Sequence, residues 1–455
     1  MPDLIKVAKF GGTSMADAEA MRRSAAIVTQ DPDKRLIVVS ATSGTTNLLT
    51  SLCNSIALSE KQDLFEIIRD KHLAICDQLK NPALALKQVN KTLEQLKKFS
   101  EMQVIGSREK DEILSAGERI ASIIFTEIIN EMEPGAIWFD AREVMITNNM
   151  HGNAEPDIEA IDQQVTEKLE QVLKRSRVIT QGFVGATKTG VTTTLGRGGS
   201  DYSAALLAEA LNADVLEIWT DVTAIFTTDP RIEPDALPIT EISFDEAAEL
   251  SVFGAKVLHP ATLKPAIRKS IRVYVGSSYN PNQPGTWIVK ETGEKPVIRA
   301  ISLRRNQTLL TVHSLDMLHR HGYLARLFEV LAKYKISVDL VTTSEVSVSM
   351  TLDTDIQSVE KNKLSEKVLS ELRTFCDVNI EKNLALVALV GNDLHATAGL
   401  SGPVFGALKD INIRLICHGA SSHNLCFLVK EEKGEETVRT LHQMFINSKN
   451  STFKS

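Results

Sequence analysis

The chain has 455 residues, 43% of them hydrophobic, and a formal net charge of −7. That length predicts about three domains with enough apolar content for real cores. The charge is spread along the chain: no basic patch suits nucleic acid, no polybasic segment suits an anionic membrane, and no apolar run is long enough to span a bilayer. Five cysteines (Cys53, Cys76, Cys376, Cys417, Cys426) are scattered without a CxxC pair. They read as reduced, mostly buried thiols of a cytoplasmic protein. The N-terminus runs almost at once into a strand, so no signal peptide is expected.

Leu4-Ile5-Lys6-Val7-Ala8 reads as a buried strand and Ala16 to Val28 as a helix. Between them, Lys9-Phe10-Gly11-Gly12-Thr13-Ser14 places two glycines and two hydroxyls where a strand ends and a helix begins. Such a turn presents backbone N–H groups with no Cβ to block close approach, and Lys9 adds a positive charge. Together they suit a polyphosphate. An ordinary strand–turn–helix corner shares the local pattern. A second glycine turn at another helix start, Gly196-Arg197-Gly198-Gly199-Ser200-Asp201, favours the functional reading. Arg35 to Ser40 is a second buried strand, running into the small-residue loop Ala41 to Asn47 and a helix from Leu48. Strand, polar loop, helix, twice over, predicts a parallel α/β sheet with its site at the strand C-termini.

From about 60 to 133 the pattern is helical, with Leu86, Val89, Leu93 and Leu96 on one face. Ser115-Ala116-Gly117-Glu118 precedes a face of Ile120, Ile123, Ile124 and Ile128. Ser-x-x-Glu is the capping-box pattern, which gives Glu118 a structural task at a helix start. Ala136 to Phe139, Arg177 to Val184, Val215 to Trp219 and Ile271 to Gly276 read as strands, and Glu155-Pro156-Asp157 opens a helix with a face of Ile161, Val165, Leu169 and Val172. Ser200-Asp201 can cap a helix over Tyr202 to Leu211. Arg197 is either a solvated loop charge or a carboxylate or phosphate clamp, since its planar fork bonds both oxygens. Taken alone, Lys256 and His259 read as surface and core residues. Turn-rich stretches at Asn280–Gly285 and Glu291–Pro296 place a domain boundary near 295.

Beyond that boundary the sequence repeats. Leu309-Leu310-Thr311-Val312 matches Leu386-Val387-Ala388-Leu389, and Phe328, Leu331, Ile336, Ser344 and Val348 match Phe405, Leu408, Ile413, Ser421 and Leu425, all at one offset of 77 residues. Each copy reads βαββ. Neither holds a cluster of catalytic residue types, so the pair suggests binding rather than chemistry.

KFGGTS, TTTLGRGGSDYSAALLAEAL, WTDVTAIFTTDPR and FDEAAELSVFGAKVLHPATL resemble the aspartokinase branch of the amino acid kinase superfamily. RRNQTLLTVHSLDML, ISVDLVTTSEVSVSMTLDT and CHGASSHNLCFLV resemble the C-terminal half of its lysine-sensitive, single-function members. The resemblance implies an α/β amino acid kinase fold, a mainly parallel sheet flanked by helices, over 1–295. Two ACT regulatory domains of βαββ type follow, an effector-binding one over 296–380 and a structural, dimerising one over 381–455. It implies a homodimer or tetramer, with no room for the homoserine dehydrogenase half of fused relatives. The implied reaction transfers the γ-phosphoryl of MgATP to the β-carboxylate of L-aspartate, the first step toward lysine, threonine and methionine, under feedback by L-lysine. A β-carboxylate, with a pKa of about 3.9, is already ionised at neutral pH and needs no general base. Catalysis then rests on charge neutralisation, in-line positioning and desolvation. No Walker A sequence is present.

By the same resemblance Lys9, Phe10, Gly11 and Gly12 hold the phosphates, with Lys9 and Asp201 the catalytic pair. Asp201 orients the lysine or the substrate. Thr46, Glu118, Arg197, Gly198, Gly199 and Ser200 bind substrate, Glu118 meeting the ammonium group and Arg197 the α-carboxylate. Thr220, Asp221, Phe226, Arg231, Lys256 and Val257 match nucleotide positions, with Phe226 in place of the usual tyrosine. Mg²⁺ is expected on the ATP phosphates rather than in a protein metal site. Met317, Gly322, Tyr323, Leu324, Ser337, Val338, Asp339, Ser344 and Glu345 match the lysine site, beside an unusual Arg320. Ile416 and Ser422 replace Asp339 and Glu345 in the second copy, which is expected to bind no lysine. The rival readings are another amino acid kinase, such as one acting on glutamate, and a catalytically silent amino-acid sensor.

Overall fold

A computed structural model of the chain describes residues 4–254, 260–318, 321–352 and 364–447. These fall into two compact units, the first within the ranges 1–225, 238–244 and 256–292, the second within 226–237, 245–255 and 293–455.

The first unit is built on an eight-stranded sheet. Its strands are β1 (Lys6–Phe10), β2 (Lys34–Val39), β3 (Ile137–Trp138), β5 (Val178–Gln181), β8 (Val215–Thr220), β9 (Glu241–Ser243), β10 (Arg272–Ser277) and β11 (Thr286–Val289), in the order β3-β5-β2-β1-β8-β10-β11-β9. Pairing is parallel from β3 to β10, antiparallel between β10 and β11, and parallel again to β9. The apolar runs of β1 and β2 are explained by this placement, because a central parallel strand is covered on both faces. A small second sheet joins β4 (Ile146–Thr147), β6 (Val184–Thr187) and β7 (Thr192–Thr194) in the order β4-β6-β7.

Helices α1 (Ala18–Thr29), α2 (Thr45–Asn54), α3 (Leu58–Cys76), α4 (Ala83–Ser100) and α5 (Ser107–Met132) share one core with the sheet, through residues such as Met21, Leu49, Ile68, Val89, Ile124 and Phe125 against Phe10 and Ile37. Then follow α6 (Ile158–Gln164), α7 (Glu170–Leu173), α8 (Gly199–Ala210), α9 (Phe244–Val252) and α10 (Pro260–Lys269).

Several expectations change in the structure. Ser115 and Glu118 do not open a helix. The charged stretch after Gly106 is itself helical, so α5 begins at Ser107 and both residues lie in its middle. Ser115 donates to Glu112 O instead. The cap of α8 is Gly198 in a left-handed conformation, φ +68°, which puts Asp201 inside the first turn rather than at the cap. Arg177 to Val184 is two strands, because Gly182-Phe183 breaks the run with Phe183 at φ +67°. Between α6 and α7 a π-helical segment, Val165–Leu169, inserts a residue. The buried position therefore moves from Val172 to Leu173.

The second unit carries a six-stranded sheet of β12 (Ala300–His313), β13 (Val338–Thr343), β14 (Ser347–Leu352), β15 (Asp377–Val390), β16 (Leu415–His418) and β17 (Asn424–Lys430), ordered β13-β14-β12-β15-β17-β16. Its helices are α11 (Tyr323–Lys333), α12 (Glu366–Leu372), α13 (Ser401–Ala407) and α14 (Glu431–His442). The repeat is longer than βαββ, since each copy gains a second helix and a closing strand. The first half of β15, Asp377 to Glu381, pairs with β12 and closes the first copy. The first half of β12, Ala300 to Arg304, pairs with β15 and closes the second. Both long strands kink at a left-handed asparagine, Asn306 at φ +58° and Asn383 at φ +59°, again 77 residues apart.

Segments 226–237 and 245–254 are folded into this second unit. Thr227 bonds His442 Nε2 at 2.9 Å, and Ile301 N donates to Thr227 O. Glu246 pairs with Arg299, while Glu249 accepts from Ser421 and Asn424.

Helix α5 packs tightly on the loop after β2. A Cβ at Gly117 would lie 2.9 Å from Ala41 Cβ and 3.1 Å from Leu49 Cδ1. Gly117→Ala is expected to destabilise the protein by about 1–3 kcal/mol in urea unfolding. Gly402→Ala, where a Cβ meets nothing within 4 Å, is expected to cost less than about 0.5 kcal/mol.

Candidate active site

The C-terminal ends of four adjacent parallel strands form one edge. β5 ends at Gly182-Phe183, β2 at the loop 41–46, β1 at the Gly11-Gly12 turn, and β8 at Thr220-Asp221. In an open parallel sheet this is where ligands bind.

β1 sets Lys9 between Val38 and Ile218 on its neighbours. Its side chain is buried, and Lys9 Nζ stands 2.5 Å from Asp201 Oδ1 as an ion pair. That oxygen is buried with no aligned hydrogen-bond donor. Asp201 reaches it from the first turn of α8, and α8 is held against the end of β5 because Gly182 and Gly199 lack side chains. A Cβ at Gly182 would come within 2.7 Å of Ser200 Cα, and one at Gly199 within 2.7 Å of Phe183. Gly12 similarly lies close to the loop after β2, 3.3 Å from Ala41 O to a Cβ position. Gly11 N donates to Trp219 O. The Phe10 ring is wholly in the core, stacked on Trp219 at 6.2 Å and 10°, which leaves its backbone as the part available to the turn.

Glu118 is buried in mid-α5, and its Oε2 has no hydrogen-bond partner. Burial pushes its carboxyl up to about 8, while its own and Ala41 backbone N–H groups and the nearby Lys9 act in the opposite sense. A buried acceptor with an open lone pair fits an ammonium group or another donor brought by a ligand.

The loop 41–46 is fixed from behind by α3. Thr42 Oγ1 bonds Thr45 Oγ1 and His72 Nε2, and Lys71 reaches Ser43 O and Thr45 Oγ1. His72 is fully buried, so its protonation is pushed down to about 4. Gly44, at φ +78°, caps α2, and Thr46 behind it is exposed. Arg197 is exposed between Gly196 and Gly198, both at positive φ. Thr220 Oγ1 bonds Asp221 Oδ1 at 3.0 Å in the first unit. Phe226 and Arg231 belong to the second unit, where Arg231 makes a forked pair with Asp229. Lys256 and Val257 lie outside the described residues. Among the described residues no group of three or more His, Cys, Asp or Glu could hold a metal ion.

One cluster escaped the sequence reading. Asp111, fully buried on α5, faces His151 Nδ1 at 2.6 Å, Gly152 N at 3.0 Å and Thr194 Oγ1 at 2.6 Å. The available signal was its spacing from Glu118: seven residues, two helical turns on one face.

The expected effector residues lie in the second unit. Gly322, at φ +81°, caps α11, and Met317, Tyr323 and Val338 meet in one apolar cluster. Leu324, Ser337 and Glu345 are exposed, and Ser344 turns the chain from β13 to β14 through Ser347. Asp339 is engaged by Arg304 at 2.9 Å. Arg320 lies outside the described residues.

A profile of the amino acid kinase family matches residues 5–277, and one of the ACT domain matches residues 387–445. The chain belongs to the amino acid kinase family. Its place within that family is among the aspartokinases. It is 50% identical over 441 residues to lysine-sensitive aspartokinase 3 of Escherichia coli, covering 96% of this chain and 98% of that one. It superposes on the crystal structure of E. coli aspartokinase III in complex with aspartate and ADP (R-state) with a TM-score of 0.88, at 50% identity over 96% of this chain and 99% of that one. For the same enzyme in complex with lysine and aspartate (T-state) the TM-score is 0.84, with the same identity and coverage.

The raised Glu118 carboxyl predicts a pH effect on the ligand-free protein. Its folded value lies above the unfolded one, so the folded state binds the extra proton between about 4.5 and 8. Stability is expected to fall across that window as pH rises. Thermal unfolding of Glu118→Gln should show a shallower decline from pH 5 to 8 than the unmodified protein; identical slopes would contradict the assignment.

Proposed function

We infer that this chain is an aspartate kinase that transfers the γ-phosphoryl of ATP to the β-carboxylate of L-aspartate, giving 4-phospho-L-aspartate and ADP, and that L-lysine inhibits it. The likeness over nearly the whole chain to a structure holding aspartate and ADP carries this reading. The step enters the biosynthesis of lysine, threonine and methionine.

The site supports the chemistry. A β-carboxylate oxygen forms a bond to the γ-phosphorus, and the bond from that phosphorus to the bridging oxygen breaks, leaving its electrons on ADP. No proton need move, so no residue is assigned as a base. Lys9 meets charge on the transferring phosphoryl, and Asp201 holds the Lys9 ammonium at the end of β1. Gly11 and Gly12 let the backbone approach the phosphates. Glu118 takes the substrate ammonium, Arg197 the α-carboxylate, and Thr46 and Ser200 add hydroxyls. Thr220, Asp221, Phe226, Arg231, Lys256 and Val257 serve the nucleotide. Mg²⁺, carried on the ATP phosphates, supplies further charge neutralisation. A buried lysine and close-approach glycines fit that arrangement.

The kinase domain is assigned to 1–295 and the two ACT domains to 296–380 and 381–455. Lysine binds the first, its carboxylate at the N-terminus of α11 near Gly322 and its ammonium groups at Asp339 and Glu345. The second copy carries Ile416 and Ser422 at those places and serves assembly. Both sheet edges expose an apolar side chain, Val341 on β13 and Ile416 on β16, which supports a homodimer built through this unit. The enzyme is assigned to the cytoplasm. No described helix is long and apolar enough to cross a membrane.

Steady-state kinetics test the roles. Lys9→Ala is expected to lower kcat by roughly 10²–10³-fold, the range for losing one preorganised charge donor. Arg197→Ala is expected to raise KM for aspartate at least tenfold. Full activity in Lys9→Ala would remove the mechanism. Glu345→Gln is expected to raise the lysine concentration for half-inhibition by about tenfold, as losing a charged hydrogen bond predicts; unchanged inhibition would remove Glu345 from the effector site.

A further inference from the structure

We propose that Asp111 is a positioning residue for the aspartate site: it fixes the turn that carries Arg197. The inference rests on the assignment of Arg197 as the α-carboxylate clamp.

The turn 196–198 joins β7 to α8, and on the α8 side it is closed by Gly199 N donating to Gly196 O and Tyr202 N to Gly198 O. Gly196 and Gly198 both take positive φ, and Arg197 is exposed. On the β7 side two further segments flank the turn in space, and Asp111 ties both. Thr194 is the last residue of β7, three before Arg197, and gives its hydroxyl hydrogen to Asp111 Oδ1 at 2.6 Å. On the other side, Gly152 N donates to the same carboxylate at 3.0 Å, and His151 Nδ1 lies 2.6 Å from Oδ2. The loop that begins there closes onto the turn. Ala154 N donates to Thr194 O at 2.9 Å. Gly196 packs so near Asn153 that a Cβ would lie 2.6 Å from Asn153 Oδ1 and 3.2 Å from Gly152 O. One buried carboxylate thus joins β7, the 151–154 loop and α5 immediately before the clamp.

The location on α5 gives the arrangement its meaning. Glu118 lies seven residues further along the same helix, about 10 Å at 1.5 Å per residue. A single rigid rod therefore carries the partner for the substrate ammonium directly and the clamp for its α-carboxylate through Asp111. Both polar ends of the amino acid are referred to one helix, so their separation is set by a single element. Asp111 touches no substrate in this account.

Kinetics of Asp111→Ala, Asp111→Asn and Thr194→Val, with aspartate and MgATP varied separately, test the proposal. Asp111→Ala is expected to raise KM for aspartate at least tenfold while KM for MgATP stays within twofold. Asp111→Asn keeps an acceptor oxygen for Gly152 N–H and the Thr194 hydroxyl, and should return KM for aspartate to within about threefold. An unchanged KM for aspartate, parallel rises in both KM values, or an Asn variant as impaired as the Ala variant would each overturn it. Should Asp111→Ala not fold, Thr194→Val carries the same test, with a rise in KM for aspartate alone expected and no rise overturning it. If the unmodified protein fails to phosphorylate aspartate, the functional reading falls first. Amide exchange of Thr194→Val over 150–156 and 194–199 then decides: at least tenfold faster exchange confined to those segments supports the positioning role, and unchanged exchange refutes it.

Discussion

The site is organised by a shortage of countercharge in a buried place. Lys9 ends a central strand with its ammonium held by Asp201, and Glu118 lies nearby in the middle of a helix with one oxygen unpartnered. Burial disfavours the Glu118 anion, and the backbone donors and Lys9 offset only part of that cost. A ligand cation at Glu118 offsets that cost, and a ligand anion finds in Lys9 an ammonium already positioned by Asp201. An α-amino acid meeting a polyphosphate is such a ligand pair. The polyphosphate then meets a Lys9 ammonium the fold has already desolvated, the kind of preorganised charge that lowers a phosphoryl-transfer barrier, whereas the Glu118 carboxyl gains its charge as the substrate ammonium arrives.

The backbone that holds these groups is economical in side chains. Gly12, Gly117, Gly182 and Gly199 each sit where a Cβ would strike a neighbouring backbone or side chain at 3.3 Å or less. They bring the loop after β2, helix α5 and the start of α8 to the strand ends. The second unit uses a different device. Its two copies exchange closing strands through β12 and β15, so neither copy completes its sheet from its own residues in sequence order. Segments 226–237 and 245–254, which interrupt the kinase portion of the chain, are folded into that unit through Thr227, Glu246 and Glu249. Phe226 and Arg231 thus lie in the second unit.

Much of this was legible in the sequence because it rests on local signals. The glycine turns after β1 and before α8, the apolar runs of the parallel strands, and the 77-residue repeat are all visible in residue order. The repeat even extends to the kinks at Asn306 and Asn383. What was missed depends on tertiary context. Ser115–Glu118 satisfies the capping pattern, yet the helix starts eight residues earlier, so the pattern is accidental. The π-helical segment at Val165–Leu169 shifts the buried face by one residue, which no fixed period foresees. Phe10 carries a motif position but its ring belongs to the core. The closing strands of the repeat come from the far halves of β12 and β15, and Asp111 gathers partners 40 and 83 residues away. Pairings of that kind are set by the folded chain, not by spacing.

Burial pushes the Glu118 carboxyl up to about 8, and its role as partner of the substrate ammonium requires it to give up that proton when aspartate binds. Calorimetric titration of L-aspartate into the ADP-saturated protein at pH 7, in two buffers of different ionisation enthalpy, measures the protons exchanged on binding. With a carboxyl near 8 in the empty site, close to one proton should be released per aspartate bound, and Glu118→Gln should release none. Binding without proton release by the unmodified protein would contradict the account.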